Sequence, residues 1–224
     1  MIPFADISIA ICVFLFTSIN LDNLLRYHAG FSGKQERFEI EKPITLPLLL
    51  AGIGTGLFFL ESCLHVLLSF WNRLALFDDN LGFATVQMTQ LEFFGLLIMI
   101  LGYAIFIWSV LARGRYATSW QMPADHKLVN WGPYRCVRHP SYLGYYLMFI
   151  GFSLLCHNAL ALFPLIAIPG YVLIAQREEE MLVARFGEAY VQYQKRVGRF
   201  LPKVNLKKLR EVLKLRHLVN PSST

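Results

Sequence analysis

Two polar segments of this 224-residue chain carry side chains that are able to do chemistry. Residues 126–144 read HKLVNWGPYRCVRHPSYLG and concentrate histidine, arginine, tyrosine, proline and glycine. The second segment is a run of three glutamates, Glu178, Glu179 and Glu180, directly after Arg177. We expect one or two of the glutamates to face a polar ligand, because carboxylates form strong charge-assisted hydrogen bonds. The alternatives are a basic loop that only orients a membrane helix and a solvated helix face.

The composition predicts an integral membrane protein. Apolar residues make up 55% of the chain, charged residues 16%, and the mean hydropathy is +0.45. A soluble fold of this size could not bury so much apolar surface, and the same figures exclude a disordered chain, a collagen-like chain and a secreted disulfide scaffold. The four cysteines have no CxxC spacing, so we expect buried, inert thiols and no metal site.

The apolar stretches predict an all-α bundle of about five transmembrane helices. Their approximate bounds are 2–19, 44–70, 93–112, 142–156 and 159–176. The first is interpreted as a retained anchor, since it has no basic n-region. The last two form a helical hairpin, which brings residues 139–144 and 176–180 to the same face of the membrane. The predicted division is an N-terminal helical part over 1–112, a catalytic part over 113–204 that includes the hairpin, and a basic tail over 205–224.

The positive charges predict the orientation of the bundle. All but one of the 21 lysines and arginines lie in the segments 20–43 and 113–141 or in the tail from Arg177, and the exception is Arg73. By the positive-inside rule the N-terminus lies outside and the C-terminus in the cytoplasm. The net charge of +6 is then mainly a topology signal, and we expect a membrane partner rather than nucleic acid. No oligomeric state is predicted.

Several ordered motifs resemble the isoprenylcysteine carboxyl methyltransferase family of membrane enzymes. They are HKLV, GPY, RHPSYLG, EE and the tail FGEAYVQYQKRVGRFLP, which together cover about 121–204. The resemblance implies transfer of a methyl group from S-adenosylmethionine to a lipid-like or prenylated acceptor that enters from the bilayer, in a cytoplasmic pocket built by the C-terminal half. The alternatives are a methyltransferase for a small thiol or a phospholipid amine, and a membrane reductase that uses NADPH.

The resemblance also implies which residues bind the cofactor and act in the reaction. Arg138 is expected to pair with the methionine carboxylate or to brace its loop. His139 is the candidate base if the acceptor is an amine or a thiol, whereas an ionised carboxylate acceptor needs none. The expected cofactor contacts are Gln121, His126, Lys127, Leu128, Val129, Tyr134, His139, Pro140, Ser141, Tyr142, and Glu178 or Glu179.

One position departs from the family pattern. The resemblance implies an arginine four residues before the first glutamate, where it would orient the substrate carboxylate, and this chain has Ile174 there. Arg177 lies nearby, but its position three residues further along turns it about 300° around the helix. We therefore expect the acceptor to be a different amphiphile, or to be held by Arg138 or Arg177.

Overall fold

The computed structural model describes residues 3–30, 37–39, 45–71, 89–116, 121–123, 127–156 and 158–203. Their main elements are six helices: α1 Pro3–Gly30, α2 Thr45–Phe70, α3 Thr89–Arg113, α4 Pro140–Cys156, α5 Ala167–Phe186 and α6 Glu188–Arg196. Short 3-10 helices cover Gly114–Tyr116, Gly132–Arg135 and Leu160–Ile166. The described part of the chain is thus almost wholly helical, as the sequence predicted.

A two-stranded antiparallel ribbon is the departure from an all-α fold. Strand β1 (Arg37–Glu39) pairs with β2 (Gln121–Pro123), with Phe38 opposite Met122. The apolar patterns gave no sign of this ribbon, because each strand has only three residues. The ribbon joins the connection after α1 to the connection after α3.

Among the described residues, three helical segments are long and apolar enough to cross a membrane, by length and composition: Thr45–Phe70, Gln90–Arg113 and Leu160–Phe186. The apolar helix α4 is shorter, with 17 residues. The last segment begins as a 3-10 helix and continues to Phe186, where periodic apolar residues followed by Gly187 predict the end of the helix. Pro164 lies inside the 3-10 turn, where its missing N–H weakens a regular α-helix. The five-span count and the orientation stay predictions.

Helices α3 and α4 approach each other closely through glycines. A Cβ atom on Gly102 would lie 2.7 Å from the Gly144 carbonyl oxygen, and one on Gly95 would lie 2.7 Å from that of Gly151. Glycines seven residues apart on each helix therefore form one stripe, a common way for membrane helices to pack. The predicted domain boundary near residue 113 falls between these two helices, which share one core.

Candidate active site

The loop before α4 is held by the segment that follows α6. The Arg138 amide donates to the Gly198 carbonyl at 2.8 Å, and the His139 amide donates to the Arg199 carbonyl at 3.0 Å. A Cβ atom on Gly198 would lie 1.8 Å from the Leu201 carbonyl oxygen, so only glycine fits there. Two segments about 60 residues apart in sequence are thus joined by main-chain hydrogen bonds.

A buried carboxylate, Glu179, organises the side chains around this joint. Its Oε1 accepts from Arg138 Nε at 2.9 Å and from Arg199 Nε at 3.1 Å. Its Oε2 accepts from an Arg199 terminal nitrogen at 2.8 Å and from Gln194 Nε2 at 3.2 Å. Two arginines and an amide satisfy the charge of Glu179, and His139 adds a further contact. These five residues, Arg138, His139, Glu179, Gln194 and Arg199, are called the bracing cluster below.

His139 lies between the two neighbouring glutamates. Its Nδ1 is 3.4 Å from Glu178 Oε2 and its Nε2 is 3.1 Å from Glu179 Oε1. Burial disfavours the charged imidazolium, but the hydrogen bonds and charges of Glu178 and Glu179 outweigh burial and raise the His139 pKa. Both ring nitrogens are engaged, and the raised pKa favours the protonated form. This arrangement favours a role for His139 in positioning the carboxylates.

A cavity of about 400 Å³ opens beside the bracing cluster. Its walls combine the loop before α4 with the facing ends of α3, α4, α5 and α6. The lining residues are Asn20, Phe106, Val110, Arg113, Tyr116, Lys127, Leu128, Val129, Tyr134, Arg138, His139, Ser141, Tyr142, Tyr145, Tyr171, Glu178, Met181, Leu182, Phe186, Tyr190 and Tyr193. The lining is therefore mainly aromatic and apolar, with a few charged groups, as in most small-molecule sites.

Glu178 faces this cavity, unlike Glu179. Its Oε1 accepts a hydrogen bond from the Tyr142 hydroxyl at 2.7 Å. Tyr142 continues into a group of stacked rings, since its centroid lies 4.7 Å from that of Tyr171, which stacks on Tyr145 at 5.1 Å. The cavity thus places one carboxylate beside several aromatic faces, a combination that attracts cations.

Arg113 brings a positive charge to the other side of the cavity. One of its terminal nitrogens donates to Ser141 Oγ at 3.2 Å, and Ser141 shares a 2.7 Å hydrogen bond with Ser109. Its Nε is buried and has no hydrogen-bond partner among the described residues. A buried guanidinium donor without a partner is costly, so an anion that reached this group would be stabilised.

Most of the predicted cofactor residues converge on the cavity. Nine of the residues proposed from the motifs line it: Lys127, Leu128, Val129, Tyr134, Arg138, His139, Ser141, Tyr142 and Glu178. Pro140 and Glu179 are buried next to it without lining it. Gln121 lies in β2, where the backbone alone is described, and His126 lies outside the described residues.

The two proposed substrate residues do not line the cavity. Ile174 is buried on the same face of α5 as Tyr171 and Glu178, yet it packs inside the bundle. Arg177 is exposed and forms a surface ion pair with Glu180 at 2.9 Å. An exposed pair of this kind is solvated, so neither of its members is placed to hold a buried ligand.

Sequence reasoning missed several cavity residues that lie outside the motifs. Arg113 ends an apolar helix and reads as an ordinary topology charge, while Tyr145 and Tyr171 look like core aromatics. Arg199 was within a quoted motif, but its contact with Glu179 was not foreseen. The signal that could have found Arg113 is its position at the membrane edge, one turn after the buried Ser109.

The structure also shows the exposure of the four cysteines and the arrangement of possible metal ligands. None of the four cysteines, all of which lie in the described segments, forms a disulfide bond; Cys63 and Cys136 are exposed, Cys12 is partly buried and Cys156 is buried. The expectation of buried thiols is therefore wrong for the two exposed ones, because Cys63 lies on the outer face of its helix and Cys136 in a surface turn. In the part of the chain that the structure describes, no group of three His, Cys, Asp or Glu side chains is arranged to hold a metal ion.

Part of this chain is similar to known proteins. Residues 91–189 match the family model described as phospholipid methyltransferase. The chain is 32% identical to the protein-S-isoprenylcysteine O-methyltransferase of Tribolium castaneum over 114 residues, which are 48% of this chain and 40% of that protein. It is 33% identical to protein-S-isoprenylcysteine O-methyltransferase B of Arabidopsis thaliana, over 50% of this chain and 59% of the relative.

A solved structure is also similar. The eukaryotic intramembrane Ras methyltransferase, an isoprenylcysteine carboxyl methyltransferase, is 25% identical, and the alignment covers 73% of this chain and 54% of that chain with a TM-score of 0.45. The sequence matches span about half the length of the first relatives or less. They confirm, over about a third to a half of this chain, that it resembles the isoprenylcysteine carboxyl methyltransferase family.

Proposed function

We propose that this protein is a membrane methyltransferase that transfers a methyl group from S-adenosylmethionine to a lipid-like acceptor, of the isoprenylcysteine-carboxylate type. One observation carries the proposal: the motif residues of two distant segments converge on a single cavity of about 400 Å³ at one end of an apolar bundle. The relatives' names support the reaction class. The apolar helices support delivery of the acceptor from the bilayer.

The cavity fits the donor in size and chemistry. Small-molecule sites measure roughly 300–1,000 Å³ and place a few polar groups within an apolar wall. Glu178 suits a pair of ribose hydroxyls, and the rings of Tyr142 and Tyr171 suit an adenine face or a sulfonium. The run Lys127–Val129 lines the cavity and is in neither helix nor strand, so its backbone is suited to the edge of a base.

The side chains act mainly by positioning. S-adenosylmethionine supplies an electrophilic methyl group on a positively charged sulfur. The protein must hold the acceptor in line with that methyl and keep water out, and the apolar residues Leu182 and Phe186 contribute to this exclusion. An ionised carboxylate acceptor needs no general base. His139 then serves to hold Glu178, since Glu178 and Glu179 occupy both of its nitrogens.

Arg113 is proposed to hold the acceptor's anionic group. The chain has Ile174 where the family resemblance implies an arginine, and Arg177 points to the surface. Arg138 lines the cavity, but its Nε is bound by Glu179 and a terminal nitrogen donates to the Val197 carbonyl. Arg113 is the cavity arginine with a buried donor left free, so an acceptor carboxylate would find its partner there.

A phospholipid amine is the second candidate acceptor. The description of the matching family model favours it, and Glu178 with its neighbouring tyrosines would attract an ammonium head group. An amine must lose a proton before it attacks the methyl group. An amine acceptor therefore needs a general base, whereas an ionised carboxylate acceptor does not.

A methyl-transfer assay tests the proposal. Purified protein in detergent receives labelled S-adenosylmethionine and, in separate reactions, a prenylated cysteine, its amide, phosphatidylethanolamine, or a thiol amphiphile. We expect label on the prenylated cysteine and none on its amide. Arg113→Ala should raise the KM for that acceptor about tenfold or more, the usual effect of losing a charged hydrogen bond. Arg177→Ala is the matched control and should behave as the parent protein.

The outcomes separate the candidates. Label on phosphatidylethanolamine alone would establish the amine route, and binding of NADPH without any methyl transfer would overturn the proposal in favour of a reductase. The orientation is tested separately with single cysteines added to otherwise cysteine-free protein in sealed vesicles. A cysteine within 71–90 should react with an impermeant reagent from outside, and one in the tail after residue 203 should not.

A further inference from the structure

A second cluster of reactive side chains lies at the opposite end of the bundle from the cavity. His65 of α2 has its Nε2 3.0 Å from Asp6 Oδ1 and its Nδ1 3.8 Å from Cys156 Sγ. Ser69 Oγ also donates to Asp6 Oδ2. Cys156 is the last residue of α4, whose first turn lines the cavity, so the two sites are separated by about 24 Å of helix.

The hydrogen bonds define the roles of the two imidazole nitrogens. A carboxylate accepts hydrogen bonds and has no proton to donate, so the hydrogen of His65 belongs on Nε2, which faces Asp6. Nδ1 is then the acceptor and faces the thiol of Cys156. The order carboxylate, imidazole, thiol is that of the nucleophilic triads, in which the imidazole takes the thiol proton and the carboxylate orients the ring.

The geometry argues against a metal site for the same atoms. Asp6 and Cys156 contact opposite nitrogens of His65, so the three side chains do not converge on a common point. The cluster is also enclosed, because His65 and Cys156 are both buried. Glu61, one turn earlier on α2, is also buried and is the one acidic residue of that helix.

We infer that Cys156 is an activated nucleophilic thiol and a modification site for small, soft, bilayer-soluble electrophiles such as α,β-unsaturated carbonyl compounds. His65 takes the thiol proton, and the thiolate sulfur forms a bond to the β-carbon. The π electrons of the carbon–carbon double bond move to form an enolate. The proton held by His65 then goes to the α-carbon, so the addition needs no further reactant and releases no group.

The chain provides a matched control for this site. Cys63 lies on α2 two residues before His65, at about the same depth, but it is exposed and does not contact the imidazole. If access alone set the rate, Cys63 would react faster than the buried Cys156. If the His65–Asp6 pair activates the thiol, the order reverses. The comparison is made within one molecule, so it is independent of variants and of their folding.

The experiment measures labelling of the full chain in lipid nanodiscs by N-ethylmaleimide, with rates for each cysteine from peptide mass spectrometry. We expect Cys156 to react about tenfold faster than Cys63 near neutral pH, because an ordinary thiol is only a few per cent ionised there. His65→Gln and Asp6→Asn should remove most of this advantage and leave the Cys63 rate unchanged. Ser69→Ala should have little effect, because it leaves the thiol–imidazole–carboxylate chain complete.

Two results would overturn the inference. One is a parent protein in which Cys156 reacts no faster than Cys63, which would make the cluster a structural tie between α1 and α2. The other is an unchanged Cys156 rate in folded His65→Gln protein. If that variant does not fold, the parent rates at Cys156 and Cys63 decide whether the thiol is activated or the cluster is only a structural tie.

Discussion

Glu178 and Glu179 are neighbours in sequence but belong to two different regions of the molecule. Glu179 is saturated by the bracing cluster and joins α5 to the loop before α4 and to the segment after α6. Glu178 faces the cavity, where Tyr142 donates to one of its oxygens. Identical side chains thus have different surroundings: Glu179 holds segments of the fold together, and Glu178 is proposed to bind the ligand. Substitution of Glu179 should therefore change folding stability, whereas substitution of Glu178 should change ligand affinity.

The largest expected effect is on stability, at Glu179. Glu179→Gln leaves the buried Arg138 and the half-buried Arg199 without their carboxylate partner. Breaking a buried ion pair in this way lowers the free energy of unfolding by about 3–5 kcal/mol. Denaturant unfolding in detergent measures the change, with the exposed Glu180→Gln as control. Equal stability of the two variants would show that the cluster does not brace the fold.

A smaller loss of stability is expected where α3 and α4 touch. A Cβ atom in Gly144→Ala would lie 2.8 Å from the Gly102 carbonyl oxygen, so the helices must separate. Overpacking of this kind costs about 1–3 kcal/mol. Gly52→Ala is the control, since no atom lies within 4 Å of a Cβ there. Comparable thermal unfolding of the two variants would contradict the close approach of the helices.

The third effect is a dependence of stability on pH. The raised pKa of His139 means that the folded protein holds its proton more tightly than the unfolded chain does. The contribution is fully present below the unfolded pKa of about 6.5 and is lost as the pH rises through the folded pKa. We expect the free energy of unfolding to fall as the pH rises above about 6.5. His139→Gln should flatten this profile; an identical slope in both proteins would refute the explanation.

The smallest expected effect is at Arg177. Its ion pair with Glu180 is exposed, and such pairs contribute about 0–1 kcal/mol. Arg177→Ala should therefore leave the unfolding transition and the affinity for S-adenosylhomocysteine nearly unchanged. A clear loss of affinity would place Arg177 in the binding site. The measurement is a thermal shift with and without that ligand.

The part of the candidate site that carries the motifs could be predicted, because the residues of each motif are close together in sequence. The loop before α4 and the glutamates on α5 each form a compact pattern, and the hairpin places them on one face. The partners of Glu179 could not be predicted, since Arg199 and Gln194 reach it only after α6 turns the chain back. Arg113 was missed because a lone arginine at the end of an apolar helix looks like a topology charge.

The departures from the predicted fold have similar causes. The end of α5 is not among them, because periodic apolar residues through Phe186 followed by Gly187 predict it, and the helix does end at Phe186. The three-residue strands are too short to give a pattern. Exposure of Cys63 depends on which face of α2 meets its neighbours, and that face is set by tertiary packing.

Isothermal titration calorimetry with S-adenosylhomocysteine tests the central claim most directly. The parent protein should bind the ligand, and Glu178→Gln should weaken binding by about 1.5–3 kcal/mol, the usual scale for a hydrogen bond to a charged group. Glu180→Gln, on the same helix but exposed, should bind as the parent does. If Glu178→Gln also binds like the parent while both variants are folded, Glu178 does not hold the cofactor and the proposed site is wrong.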